Sequence, residues 1–283
     1  MRYSINIPNF GDFADARAVT QVAVAAEEAG WDAVFVWDHV LFDKRLGYPI
    51  ADPWLLLGAI AQATNRVRLG AMVTPVARRR PQQLARQVST LDNMSEGRVV
   101  FGAGLGAPIE DEYGSFGEPT DPVLLAERLD EGLGLLGRYW TGEPVDHEGK
   151  HYTARDVALL PPPVQRPRVP VWIAGNWPRR GPMRRALRWD GMIPFFPGAD
   201  HGTAPAPEQV RELTAFAHAR TASGPFDIVV GGVSPADPGA AAELVGPLAE
   251  AGANWWDERR PIDADIIRLD PVLRRVQAGP PRF

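Results

Sequence analysis

The chain has 283 residues, 45% of them hydrophobic, with no cysteine and a formal net charge of -5. That composition supplies a substantial core, excludes disulfide and thiolate chemistry, and disfavours nucleic acid as the main partner. No run approaches the roughly 20 apolar residues of a membrane span, and MRYSINIPNFGDF lacks a signal peptide's apolar stretch, so a cytoplasmic location is expected.

Alternating apolar residues make Arg2 to Pro8 a first strand. Asp15 suits the N-cap of a helix over Ala16 to Ala29, where Val19, Val22, Ala23 and Ala26 share a face and Gly30 ends the last turn. Ala33 to Trp37 is a continuous apolar run, the pattern of a strand buried on both faces. Asp52-Pro53 opens a helix over Trp54 to Thr64. Arg66 to Val73 and Arg98 to Ala103 are two more buried strands, with a helix between them that Pro81 opens and Gly97 helps to close. Asp121-Pro122 starts another helix, with Leu125, Leu129, Leu133 and Leu136 in register.

Pro161 to Pro167 is an extended connection. Strands follow over 169–174, 191–196, 226–231 and 253–256, and helices over 182–189, 207–220, 239–250 and 264–277. Strand and helix thus alternate about eight times, which predicts a single α/β domain over 1–283, a (β/α)8 TIM barrel. A doubly wound open sheet is the alternative. In a barrel, functional groups sit on the loops after the strands.

The segment RVRLGAMVTPVARRRPQQLARQVSTLDNMSEGRVVFGAGLG, Arg66 to Gly106, resembles the luciferase-like flavin monooxygenase family, which includes coenzyme F420-dependent oxidoreductases. So do Gly30-Trp31-Asp32 with Asp38-His39, Trp140-Thr141-Gly142 to Tyr152, and Pro170 to Gly175. Together these blocks cover most of the chain. The resemblance implies a luciferase-like barrel that binds coenzyme F420 or FMN and acts on a small organic substrate. With F420 the reaction is hydride transfer; with FMN it is oxygenation, fed with reduced flavin by a separate reductase. A homodimer is implied as well. Lysine occurs only at Lys44 and Lys150, a bias of GC-rich genomes that inclines the choice to the deazaflavin. The alternatives are a flavin-binding member without turnover and a cofactor-free lyase or isomerase, for which the two lysines are poorly placed.

Asp38 and His39 end the second strand, at the mouth of a barrel. An imidazole there exchanges a proton near neutral pH, and the adjacent carboxylate can orient it. By the resemblance His39 lies beside the cofactor ring; otherwise it packs among Phe35, Trp37 and Phe42. The resemblance also places a bulge with a non-proline cis peptide at Ala71-Met72-Val73, backing the ring. Gly104-Leu105-Gly106 is expected to let backbone approach the ring or its ribityl chain, with Glu112 and Tyr113 helping to define the pocket. A dinucleotide fingerprint is disfavoured there, because Pro108 to Glu112 brings acids instead of a helix start. Gly175, Asn176, Trp177 and Arg180 form a strand-to-helix junction expected to seat the cofactor phosphate. Trp37, Phe42, Tyr113, Phe196 and Trp255 are the candidate substrate contacts.

Three further motifs are expected to be structural or to restrict function. His147-Glu148-Gly149-Lys150-His151 spells a zinc-protease signature, but Gly149 and the β-favouring Tyr152-Thr153 make it a hairpin tip with no metal. Arg78-Arg79-Arg80 lacks interleaved aromatics and reads as a solvated loop beside a helix start. Ala107-Pro108 stands where glucose-6-phosphate-oxidising relatives carry an acidic residue, so that activity is not expected.

Overall fold

A ring of parallel strands surrounds a filled interior in the computed structural model, which describes residues 1–218, 224–263 and 265–281. The strands are β1 (Arg2–Ile7), β2 (Ala33–Val36), β3 (Arg68–Ala71), β4 (Thr74–Pro75), β5 (Phe101–Gly104), β6 (Val145–Glu148), β7 (Thr153–Val157), β8 (Val171–Asn176), β9 (Gly191–Phe195), β10 (Asp227–Gly232) and β11 (Trp255–Glu258). The sheet runs β3-β2-β1-β11-β10-β9-β8-β5-β4, and β6 with β7 forms a separate antiparallel hairpin. The ring closes where the Leu69 N–H donates to the Arg98 carbonyl (3.2 Å) and the Val100 N–H to the Leu69 carbonyl (2.9 Å). Since β3 and β4 are two halves of one interrupted strand, the nine segments make eight staves.

The helices are α1 (Ala16–Ala29), α2 (Pro53–Ala63), α3 (Pro81–Met94), the single turn α4 (Ile109–Glu112), α5 (Pro122–Tyr139), α6 (Arg180–Ala186), α7 (Pro207–Ala217), α8 (Pro238–Glu250) and α9 (Leu269–Gln277). Their starts follow the caps. Asp15 accepts the Arg17 N–H, Asp52 those of Trp54 and Leu55, and Asp121 that of Val123, so donors with no intrahelical partner are satisfied. Among the described residues no helix is long and apolar enough to cross a membrane. The expected boundaries hold to about three residues, except that the last helix begins at Leu269 and not near 264. Residues 219 and 220 of the helix expected over 207–220, and residue 264 of the last one, lie outside the described residues.

Two apolar layers hold the barrel together. Outside, Val19, Val22 and Ala26 of α1 and Leu129, Leu133 and Leu136 of α5 pack against the staves. Inside, Phe35, Val100, Trp172, Ile193, Val229 and Trp255 form a plug, with Trp172 and Trp255 edge to face at 5.1 Å. The Arg2 guanidinium covers Trp255 at 4.6 Å. This corrects one expectation. The last strand runs 255–258 rather than 253–256, which puts Trp255 opposite Arg2 at the closed N-terminal end and not at the substrate face. The H-E-x-x-H segment is the expected hairpin: His147 pairs with Ala154, and its ring meets Glu131 of α5 at 2.9 Å.

The interruption of the third stave explains the glycines of the fourth. The Met72-Val73 peptide is cis, as the resemblance implies, and the chain bulges toward β5. A Cβ on Gly102 would lie 2.4 Å from the Ala71 carbonyl oxygen, and one on Gly104 would lie 2.7 Å from a Val73 methyl. The bulge fills the space that side chains on β5 would take. Gly102→Ala should therefore destabilise the protein by about 1–3 kcal/mol in urea denaturation. Gly134→Ala, in α5 with nothing within 4 Å, should be neutral or stabilising. Equal stabilities for the two variants would show that β5 and the bulge are not in register contact.

Candidate active site

The loop after β2 carries Asp38 and His39 into a nest of buried charge. Both Asp38 oxygens are taken, one by Arg78 (2.6 Å) and both by Arg79 (2.7 and 2.8 Å). Glu112 of α4 accepts the N–H groups of Val40 (3.2 Å), Leu41 (3.3 Å) and Phe42 (2.7 Å), faces His39 Nδ1 at 3.0 Å and pairs with Arg78. Two carboxylates and two guanidiniums thus compensate one another where water is excluded. Arg78 and Arg79 are not the solvated loop expected from the sequence: buried Asp38 draws them inward, and of the triplet only Arg80 stays exposed. Asp38 itself is closed to a ligand.

His39 is walled by aromatic rings: Phe42 at 4.9 Å, Trp37 at 5.7 Å and Phe10 at 5.9 Å. Phe10 stacks on Phe42 at 4.6 Å and on Tyr48 at 5.5 Å, and the Trp37 ring meets His201 edge-on at 4.8 Å. Burial, then the nearby Arg78 charge, push His39 down to about 4 against the pull of Asp38. Burial and Arg259 push His201 down to about 4 as well. Both imidazoles are therefore neutral at pH 7. Trp37 and Phe42 stand beside His39. His201, Phe10 and Tyr48 were missed. The available signal was position, since His201 lies on the connection after β9, a βα loop of the barrel. Behind His39 opens a recess of about 420 Å³, lined also by Asp52, Arg78, Glu112, Phe116 and Glu118.

The floor of the mouth is the top of the plug. Met72, Val73 and Ala174 lie on it, partly exposed. One side is polar: Asp257 accepts from Ser4 Oγ (2.6 Å), Asn6 Nδ2 (2.9 Å) and Arg259 Nε (2.7 Å), and Arg259 lies over the Phe195 ring at 5.5 Å. Strand alternation therefore gives the rim Phe195, 40% exposed, and sends Phe196, 6% exposed, into the layer under the helices. Phe196 is not a mouth residue.

Other expected contacts have structural occupations. Ala71 is buried on the helix side. Tyr113 is fully buried, its hydroxyl donates to the Leu105 carbonyl at 2.6 Å, and burial raises its pKa. Gly106 has φ +82, and a Cβ there would press on Pro75. Gly175 makes room for Pro182, whose Cβ would lie 2.3 Å from an added methyl. Trp177 is buried against Phe216 at 5.7 Å, with Arg180 over Phe216 at 5.0 Å. Asn176 is exposed at the end of β8. Pro178 and Pro182 have no N–H, and the Arg179 N–H is spent on Asn176, which leaves the amides of Arg180 and Gly181 at the junction.

The profile of the luciferase-like monooxygenase family matches residues 1–250. The F420-dependent glucose-6-phosphate dehydrogenase of Nakamurella multipartita is 36% identical over 163 residues, 56% of this chain and 47% of that protein. The chain thus spans about half the length of the curated relatives it matches. Among solved structures, a monooxygenase from Streptomyces bottropensis superposes with TM-score 0.77 at 20% identity, over 98% of this chain and 97% of that one. A coenzyme F420-dependent tetrahydromethanopterin reductase from Methanopyrus kandleri gives TM-score 0.74 at 16% identity, over 95% and 97%. These two share the barrel fold.

The neutral histidines make stability depend on pH. In the unfolded chain they protonate near 6.5, in the folded protein only near 4, so between those values the unfolded state binds more protons. Stability should fall as pH drops from 6.5 toward 4, and His39→Gln should remove part of that fall. Urea denaturation at pH 7.5 and 5 checks this; an identical pH dependence in the variant would contradict it.

Proposed function

Because the chain belongs to the luciferase-like monooxygenase family, we propose that it is an oxidoreductase that uses coenzyme F420 for hydride transfer to or from a small organic substrate. The observation that carries this reading is a juxtaposition at the ends of neighbouring staves. The apolar Met72-Val73 shelf lies next to the strand that presents a neutral, aromatic-walled His39. The residues fit a flat heterocycle with an anionic tail. Met72 and Val73 would back the ring over a filled barrel, and Asn176 with the Arg180 and Gly181 amides would hold the phosphate. Bound deazaflavin supplies the hydride chemistry, and the protein supplies orientation and proton management.

In this reading His39 exchanges the proton that accompanies hydride transfer. Phe10, Trp37 and Phe42 keep water from its flanks, and His201 and Phe195 complete the substrate side. Support for F420 over FMN comes from the curated relatives, which are named as F420-dependent. Their sugar-phosphate substrate is not carried over, because Ala107-Pro108 stands in place of the acidic residue. Membership of the family also favours a homodimer, and Leu55 of α2 (77% exposed) and Met94 of α3 (41% exposed) are apolar side chains left at the surface.

Titration of the apoprotein with F420 and FMN in parallel, followed by absorbance and fluorescence, tests the assignment. F420 should bind at micromolar concentration to both wild type and His39→Ala, and kcat should fall about 10²–10⁴-fold in the variant. Preference for FMN would redirect the activity to oxygenation, and binding of neither would end the reading.

A further inference from the structure

Five polar groups converge on the buried Glu112 carboxylate. Oε1 faces His39 Nδ1 at 3.0 Å and the N–H groups of Leu41 and Phe42 at 3.3 and 2.7 Å; Oε2 faces the Val40 N–H at 3.2 Å and Arg78. Four of these groups can only donate. A hydrogen on Glu112 itself would forfeit the ion pair with the Arg78 guanidinium and weaken the acceptor that the three backbone N–H groups need. The carboxylate therefore acts as an acceptor on every side, and the imidazole nitrogen facing it carries the hydrogen. His39 Nε2 meets no hydrogen-bond partner among the described residues.

A neutral imidazole has one donor and one acceptor nitrogen, so fixing the first fixes the second. The charged and titratable groups around the ring and the recess behind it are Asp38, Asp52, Arg78, Arg79, Glu112, Glu118 and His201. Of these only Glu112 is hydrogen-bonded to the ring. Arg78 is anchored on Asp38 and Glu112 and cannot turn to the imidazole without leaving them.

We propose that Glu112 is a positioning residue that locks His39 as the Nδ1–H tautomer, leaving the Nε2 lone pair to exchange a proton with the substrate. The inference rests on the functional reading above and adds to it a tautomer requirement. In alcohol oxidation the substrate O–H bond breaks and an N–H bond forms at Nε2. The carbinol C–H leaves as hydride to the deazaflavin, and the carbon becomes a carbonyl. Reduction runs through the same groups in reverse. Glu112 touches neither substrate nor cofactor; it acts through His39.

Long-range ¹H–¹⁵N correlation on uniformly labelled protein reads the tautomer directly. The chain has only five histidines, and His39→Gln assigns the resonance. At pH 7 the wild type should show a protonated Nδ1 and a bare Nε2. Glu112→Gln can turn either its amide N–H or its carbonyl to the ring, so it should admit the Nε2–H form and shift the pH profile of kcat. It should lower kcat by at least about tenfold, with F420 affinity unchanged.

An Nε2–H wild type overturns the lock, and that measurement stands even if the variant does not fold. A variant that keeps the Nδ1–H form, whatever its turnover, overturns it too. A tautomer shift in a pair of proteins that both fail to turn over F420 would uphold the lock and reject the functional reading.

Discussion

The top of this barrel is organised by the need to compensate buried charge. Asp38 and Glu112 have side chains 0% and 1% exposed, and each would be costly to bury alone. Arg78 answers both and Arg79 answers Asp38, which ties the loop after β2 to the turn before α3 and to α4. Such a cluster adds little net stability over an apolar packing of the same volume. Removing one member leaves an uncompensated ion, at a cost of about 3–5 kcal/mol. Its consequence is conformational. Residues 38–42 are held in one path, including Phe42, whose φ of +62 is uncommon for a bulky residue and whose N–H is fixed on Glu112.

That path sets the chemistry available at the mouth. It turns His39 into a pocket of rings, where loss of hydration suppresses the imidazolium and leaves a neutral ring. It also places this histidine one stave from the Met72-Val73 shelf, since the Met72 N–H donates to the Val36 carbonyl at 2.9 Å. The tryptophan plug closes the opposite end, so the open rim carries both the shelf and the polar Asn6-Asp257-Arg259 wall. A neutral imidazole and a flat apolar shelf are thereby held on the same rigid staves, which favours reproducible geometry over adaptability.

Much of the architecture was legible in the sequence because it rests on local signals. Asp15, Asp52-Pro53 and Asp121-Pro122 announce helix starts through short-range capping, and continuous apolar runs announce buried strands. What escaped was information carried by distant partners. Arg78 and Arg79 look solvated until Asp38, about forty positions away, is seen to need them. Asp257, Glu258 and Arg259 look like a loop, although Ser4 and Asn6 at the other end of the chain satisfy Asp257 inside the barrel. That misreading moved the last strand by two residues and sent Trp255 to the wrong pole. The expectation for Phe196 failed for a related reason: alternation gives opposite faces to neighbours such as Phe195 and Phe196 but does not say which face is the inner one. The glycines of β5 were read as space for a ligand, whereas the space belongs to the neighbouring stave.

The most direct test of the account is a crystal structure of the protein with coenzyme F420. The deazaflavin ring should lie against Met72 and Val73 with His39 at its reacting face, and the phosphate should meet the Arg180 and Gly181 amides. A ring bound instead in the recess beside Asp52 and Glu118, away from the Met72-Val73 shelf, would contradict the assignment of the barrel mouth as the redox site.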